Sequence, residues 1–133
     1  MKKFIVVISI VGFFSGCFKD TCINSFKIYL PVYKSLTQVR ADMKSLAAQP
    51  IQHTGKMFVY GKYIFLNEPD KGIHVIDNTD PAVPVNLSFI HIPGNVDIAV
   101  KGNYLYADSY SDLVVFDISN ATDIRAIQFL NNV

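Results

Sequence analysis

The chain contains two copies of one pattern, and this repeat constrains its fold more than any other feature. The first copy runs from Gly61 to Asp77 and the second from Gly102 to Asp117. Equivalent residues lie 41 positions apart at the start of the copies and 40 positions apart at their end. The second copy has therefore lost one residue in the turn that separates these two parts. A fixed period of this length is typical of repeat architectures, in which each copy is one supersecondary unit.

Each copy divides into four short extended segments, separated by glycine, proline, asparagine and aspartate. The predicted strands are 56–60, 62–66, 72–77 and 85–92 in the first copy, and 97–101, 103–107, 113–118 and 124–130 in the second. Four strands in about 40 residues is the pattern of a β-propeller blade. A sandwich or an open meander has the same number of strands, but sandwich strands need not resemble one another. The sequence therefore predicts an all-β fold with two four-stranded propeller-type blades.

Apolar residues run through the predicted strands without strict alternation, as in 64–66 and 113–116. Strands that are covered on both faces show such runs, so we expect the blades to stack face to face. Phe89 and Phe129 are predicted to fill the space between blades. Tyr63 and Tyr104 are predicted to occupy equivalent core positions.

The pentads Ile-His-Val-Ile-Asp at 73–77 and Leu-Val-Val-Phe-Asp at 113–117 resemble the LVIVD repeat. The strings at 67–77, 92–97 and 106–110 resemble LVIVD-repeat lipoproteins of Bacteroidetes-type bacteria. This resemblance covers the chain from about residue 31 onward, and it implies a propeller on a lipid anchor with no generally assigned activity. Because His74 interrupts the apolar pentad, we expect its position to be polar-facing or at an edge.

The number of repeats raises the question of closure. Propellers have about four or more blades, and this sequence carries two copies. Members of the family continue through further repeats, so the resemblance implies that this chain is the N-terminal part of a longer protein. Completion of the propeller by oligomerisation is the alternative.

The N-terminus has the composition of a secretion signal. Lys2 and Lys3 precede an apolar run at 4–14, and Ser15 and Gly16 supply small residues. The apolar run is about half of the roughly 20 residues that a membrane span requires. Residues 1–16 are therefore predicted to be a removable signal peptide.

Phe-Ser-Gly-Cys at 14–17 resembles the lipobox of bacterial lipoproteins. In that family the cysteine becomes the first mature residue and is acylated, which predicts lipidation at Cys17; an ordinary signal peptide is the alternative. Several acyl chains hold a soluble domain on a bilayer where one alone is marginal. In such lipoproteins, an aspartate directly after the acylated cysteine resembles a signal for retention in the inner membrane. This chain has Phe18 at that position, which favours the outer membrane or the cell surface. Cys22 is either a free thiol or a disulfide partner.

A tether and a short helix are predicted before the repeats. Phe26, Ile28 and Leu30 alternate, which indicates one strand in the tether. Ser35 and Gln38 fit a capping box at a helix start. One helical stripe follows: Leu36, Val39, Met43 and Leu46. Three polar residues are expected to face water: Arg40, Asp42 and Lys44. We expect the helix to pack across the end of the β domain, with partner binding as the alternative.

The predicted organisation is a signal peptide (1–16), tether (17–34), helix and linker (35–50), first repeat (51–94) and second repeat (95–133).

The distribution of charge and the absence of known motifs argue against several classes of function. The 12 basic and 11 acidic residues form no basic stripe, which argues against a nucleic-acid partner. His53, His74 and His91 are scattered without metal-site spacing, and no nucleophile motif or phosphate-binding loop is present. We therefore expect no metal, no cofactor and no enzymatic activity. The alternative is an enzyme whose active residues lie in further blades.

Four residues around one hairpin are candidates for ligand binding: Tyr106, Asp108, Tyr110 and Asp112. Exposed tyrosine rings bring contact area to sugars or peptides at low entropic cost. Tyr110 has no counterpart in the first copy, so we expect it to be exposed. The leading hypothesis is a non-enzymatic binding or scaffolding module with a protein or glycan partner. A glycan-binding surface lipoprotein using these four residues is the alternative.

Overall fold

A computed structural model describes residues 25–131, and this region is mostly antiparallel sheet with one short helix. The helix is α1 (Leu36–Asp42). The strands are β1 (Lys44–Ala47), β2 (Met57–Tyr60), β3 (Tyr63–Glu68), β4 (Gly72–Asp77), β5 (Val85–His91), β6 (Ile98–Lys101), β7 (Tyr104–Ser109), β8 (Asp112–Asp117) and β9 (Arg125–Asn131). The strands of the two repeats lie within two residues of the predicted bounds.

Each repeat forms its own sheet. The first sheet has the order β1-β5-β4-β3-β2, and the second has the order β6-β7-β8-β9. Strands β2–β5 and β6–β9 are therefore two four-stranded meanders, and β1 adds a fifth strand to the first. The predicted all-β fold with two incomplete-propeller blades is confirmed.

The two blades share fine details of backbone geometry. A register shift separates Val75 from Ile76 in the first blade, and an equivalent shift separates Val115 from Phe116 in the second. The turn between β3 and β4 has three residues (69–71), whereas the turn between β7 and β8 has two (110–111). The predicted deletion of one residue therefore falls in this turn.

The blades pack face to face through alternate residues of their strands. Eight residues, each at most 1% exposed, form what we call the interblade interface: Phe65, Ile73, Val75 and Ile90 from the first blade, and Leu105, Ala107, Val114 and Phe116 from the second. They belong to one hydrophobic cluster. Ser88 Oγ in the first blade donates a hydrogen bond to the Ala121 carbonyl of the second at 3.0 Å. The predicted stacking of blades is confirmed.

Two predictions about aromatic residues are only half correct. Phe129 packs against the core cluster as predicted, but Phe89 pairs with Leu46 on the other face of the first blade. Tyr63 is half-buried on the interblade side, whereas Tyr104 is 45% exposed. The reason is that Tyr104 lies on the outer face of the second blade, the face turned away from the first blade.

Helix α1 begins as predicted and ends early. Gln38 N donates to Ser35 Oγ (3.3 Å), and Ser35 N donates to Gln38 Oε1 (2.9 Å), which completes the capping box. Met43 is extended (ψ 113°), and β1 then pairs with β5. The predicted helical stripe through Leu46 is therefore wrong, because the edge of β5 offers hydrogen bonds that outweigh the helical pattern. Val39 and Met43 are buried as the stripe predicted.

Residues 25–32 belong to a separate compact unit and contain no helix or strand. Their large apolar side chains are exposed, so the strand predicted around Phe26, Ile28 and Leu30 is not formed. The predicted signal peptide, Cys17 and Cys22 lie outside the described residues. Within residues 25–131, no helix is long and apolar enough to cross a membrane.

Candidate functional site

Three loops meet at one end of the two blades. They are the turn at 69–71, the interblade linker at 93–97 and the turn at 110–111. Asp70 N donates to the Asn95 carbonyl (2.8 Å), Gly94 N donates to the Asp70 carbonyl (3.2 Å), and Tyr110 N donates to the Gly94 carbonyl (3.4 Å). We call these three loops the hairpin surface.

Asn95, which has no solvent exposure, fixes the hairpin surface from below. Its Nδ2 donates to Asp108 Oδ1 (2.8 Å) and to the Asp97 carbonyl (3.0 Å), and its Oδ1 accepts from Asn67 Nδ2 (2.5 Å). Asp108 Oδ1 also accepts from the backbone N–H groups of Val96 (2.7 Å) and Asp97 (2.9 Å). A buried polar network with many partners makes the loops rigid.

Tyr110 is the most prominent side chain of this surface. It is 69% exposed, which confirms the predicted exposure, and its φ of 55° lies in the left-handed region. That conformation is uncommon for a bulky residue and costs about 1–2 kcal/mol. The ring lies against Gly94, where an added Cβ would be 2.7 Å from two ring carbons. The turn and this glycine therefore hold the ring in a defined position at the surface.

The other three candidate residues do not join Tyr110 in one site. Tyr106 and Asp108 are half-buried and line a cavity of about 230 Å³ on the outer face of the second blade, together with Asp97 and Leu113. Asp112 alternates to the opposite face, because it pairs with Ser109 in the sheet register. The structure thus brings two of the four candidates together and separates the other two.

Asp112 is bound by Arg40 from the helix, and the prediction that Arg40 faces water is wrong. The Asp112 side chain is 2% exposed, and its Oδ2 accepts from Arg40 Nη2 (2.7 Å) and Nε (3.1 Å). The guanidinium also lies 5.0 Å from the centre of the Phe129 ring and donates to Asn131 Oδ1. A carboxylate held in this way stabilises the fold and is not accessible to a ligand.

A comparison with models of protein families shows which family the chain belongs to. The family model described as LVIVD repeat matches residues 53–90 and 94–126, which is more than half of the chain. The chain belongs to the LVIVD repeat family. The first matched segment covers β2–β5 and the second covers β6–β8 and the start of β9, so one LVIVD repeat corresponds to one blade. A comparison with curated proteins finds no match, and neither does a comparison with solved structures.

His74 of the first LVIVD pentad belongs to a buried polar cluster with Glu68 and Lys71, which its sequence did not predict. His74 has no solvent exposure and lies in the middle of the sheet, so its predicted place at an edge or a polar face is wrong. Glu68 Oε2 lies 2.9 Å from His74 Nε2, and Glu68 Oε1 accepts from Lys71 Nζ at 2.5 Å. Lys71 and then His74 lower the pKa of Glu68 to about 2. The hairpin register was a usable signal, because Leu66 pairs with His74 and places Glu68 diagonally beside it.

A cavity of about 310 Å³ is lined by two residues of this cluster, Glu68 and Lys71. Its lining also includes Leu46, Gln52, Phe89 and His91. Within residues 25–131, no group of three or more His, Cys, Asp or Glu side chains is placed to hold a metal ion. The expectation that the protein uses no metal or cofactor stays a prediction.

Proposed function

We propose that this LVIVD-repeat protein is a lipid-anchored protein of the cell envelope that acts as a non-enzymatic binding or scaffolding module. The observation that supports the binding role is the Tyr110 ring, 69% exposed on loops that are tied together by backbone hydrogen bonds. A preorganised aromatic side chain loses little conformational entropy on binding, so more of its contact energy appears as affinity.

The chemistry around Tyr110 favours a protein partner. Val96 is 57% exposed and Asp70 is exposed on the same loops, whereas Asp97 is already paired with Lys56 (2.6 Å). An aromatic and an apolar side chain with an acidic residue at the border match the composition of protein–protein interfaces, which have an apolar centre and a polar rim. We expect the partner to present an apolar residue flanked by lysine or arginine.

The lipid anchor is the second part of this proposal. The lipobox-like segment at 14–17 supports acylation of Cys17, and Phe18 favours the outer membrane or the cell surface. Labelling cells with a clickable fatty acid tests the anchor. The wild-type protein should carry the label and Cys17→Ser should not. Absence of label on the wild-type protein would remove this part of the proposal.

The binding role is tested by a pull-down from the cell envelope with the full chain as bait. Tyr110→Ala is expected to lose the partner, whereas Tyr60→Ala is expected to keep it. Tyr60 is a suitable control because it is also exposed (39%) but belongs to β2, outside the hairpin surface. Thermal melts of both variants verify that they are folded. Equal recovery of the partner by both variants would contradict the proposal.

A glycan-binding surface lipoprotein is the second candidate function, and the cavity lined by Tyr106 and Asp108 favours it. Asp108 Oδ1 is held by Asn95 and two backbone N–H groups, so Asp108 Oδ2 is the oxygen that can accept from sugar hydroxyl groups beside the Tyr106 ring. On a glycan array, a signal that is lost with Tyr106→Ala and kept with Tyr110→Ala would favour this candidate. No signal for the wild-type chain would argue against it.

A further inference from the structure

We infer that residues 26–32, which we call the apolar segment, lie in the headgroup region of the lipid bilayer. Within this segment, five large hydrophobic side chains are 70–88% exposed: Phe26, Ile28, Tyr29, Leu30 and Val32. Every large hydrophobic side chain at 34–131 is less exposed than these five. A contiguous exposed run of this composition marks a site that binds a membrane or another protein.

The chemistry of the apolar segment favours a bilayer that contains anionic lipids. Tyrosine rings are enriched at membrane–water interfaces, where the ring lies at the level of the headgroups. Lys27 is exposed among the apolar residues, and a lysine can place its apolar stem along the hydrocarbon while its ammonium group reaches the phosphates. The sequence has no acidic residue between Asp20 and Asp42, so no carboxylate within this stretch opposes contact with anionic headgroups.

The position of the apolar segment in the chain brings lipid within its reach, and this step rests on the proposed anchor. Phe26 follows Cys17 by nine positions, and a chain of that length spans at most about 30 Å. At its other end the segment leads directly into folded structure, because Lys34 Nζ donates to Asp42 Oδ2 (2.7 Å) and Ser35 caps α1. An acylated Cys17 therefore holds the segment between the bilayer and the first folded element, where lipid is the surface always available to it.

The length and backbone of the apolar segment determine how deep it can lie. Its seven residues are far fewer than the roughly 20 that a membrane span requires. Residues 25–32 contain no helix or strand, so their backbone N–H and C=O groups need water as a hydrogen-bond partner, which the hydrocarbon core does not supply. The backbone is therefore expected among the headgroups, with the apolar side chains directed toward the acyl chains.

The experiment uses tryptophan fluorescence, because the sequence contains no tryptophan and one substitution introduces a unique probe. Tyr29→Trp places an indole in the apolar segment. Tyr60→Trp is the matched control, since Tyr60 is 39% exposed but lies on β2. The full chain is expressed and processed in a bacterial host and reconstituted into vesicles of phosphatidylethanolamine and phosphatidylglycerol. One set of vesicles carries bromine on the acyl chains close to the headgroups, where it quenches an indole that it contacts.

Tyr29→Trp is expected to be quenched by the brominated vesicles and to emit at shorter wavelength than in water, whereas Tyr60→Trp should show neither effect. Adding Ile28→Ser and Leu30→Ser to Tyr29→Trp should abolish the quenching, because these substitutions remove apolar side chains that hold the segment in the bilayer. Circular dichroism verifies that the blades stay folded in each variant.

Quenching that is equal with and without the two serine substitutions would show that the tether alone brings the probe to the lipid, and it would overturn the inference. An unquenched Tyr29→Trp variant on an acylated chain would overturn it as well, with short-wavelength emission then indicating cover by protein and long-wavelength emission indicating water. Fatty-acid labelling of the same preparations reports the anchor separately. Serine-sensitive quenching without a fatty-acid label would keep the segment contact and remove the anchor.

Discussion

The two blades are nearly the same local structure in two different environments. Both have the same strand order, the same register shift and the same side-chain cap after the third strand, where Asp77 Oδ1 accepts from Thr79 N (2.8 Å) and Asp117 Oδ1 from Ser119 N (2.9 Å). The pKa of each aspartate is lowered, first by the hydroxyl and then by the backbone donor.

The environments differ at the edges and faces. In the first blade β1 covers the edge of β5, whereas no strand within residues 25–131 covers the edge of β9. The comparison teaches that the repeat determines the local backbone, while the neighbours of each blade determine which of its residues are buried.

The largest expected effect comes from truncating the same repeat position in each blade. Phe65→Ala should lower the free energy of unfolding by about 3–5 kcal/mol, because the ring is 1% exposed in the interblade interface. Tyr106→Ala, its counterpart, should cost about 1 kcal/mol or less, because its ring is only half-buried. Urea unfolding measures both. Equal losses of unfolding free energy in the two variants would contradict the claim that the two blades lie in different environments.

The ion pair between the helix and the second blade gives the next effect. Arg40→Met leaves the Asp112 carboxylate buried without its partner, which should cost about 2–3 kcal/mol; the loss is smaller than for a fully buried pair, because Arg40 is 27% exposed. The double variant Arg40→Met/Asp112→Asn should recover part of the loss. A single variant as stable as the wild-type chain would show that α1 does not depend on this contact.

The counterpart of Asp112 in the first blade is Gly72, and this position cannot accept a side chain. Its φ is 145°, and a Cβ would lie 2.0 Å from the Ile90 carbonyl oxygen. Gly72→Ala is expected to destabilise the first blade by about 1–3 kcal/mol through this clash. Hydrogen exchange should show the loss of protection in β4 and β5. Unchanged protection there would contradict the close approach of the two strands.

The last effect is the pH dependence that Glu68 contributes to the first blade, which has no equivalent at Ser109, the counterpart of Glu68 in the second blade. The pKa of Glu68 is about 2, which is below its ordinary value of 4.5, so the charged form stabilises the native state. This contribution is complete above pH 4.5 and is lost as the pH falls toward 2. Glu68→Gln should therefore be less stable at neutral pH, and its stability should fall less steeply between pH 4.5 and 2. Parallel pH profiles for the two proteins would exclude this role.

The sequence predicted the parts of the fold that depend on local pattern. The strands of both blades and the start of α1 at Ser35 follow from alternation, turn residues and a capping box. The end of α1 did not follow, because β1 is a strand only through its pairing with β5, more than 40 residues away. The strand predicted near Ile28 fails for the converse reason, since residues 25–32 pair with no strand in the part of the chain that the structure describes.

The candidate site was predictable only for the residue that lacks a repeat counterpart. Tyr110 was expected to be exposed because nothing in the first copy corresponds to it, and it is. Asp112 was misjudged because Arg40, its partner, is 72 positions away and on a different element. The burial of His74 likewise depends on the diagonal position of Glu68 across a hairpin, which spacing within one strand does not show.

The account depends most on the packing of one repeat against the other. Methyl-labelled NMR spectroscopy tests it most directly, by measuring nuclear Overhauser effects between the methyl groups of Val75 and Ile90 and those of Leu105 and Val114. Cross-peaks between the two sets are predicted. Cross-peaks confined to each set, with the methyl groups of either set accessible to a soluble paramagnetic agent, would contradict the face-to-face arrangement of the blades.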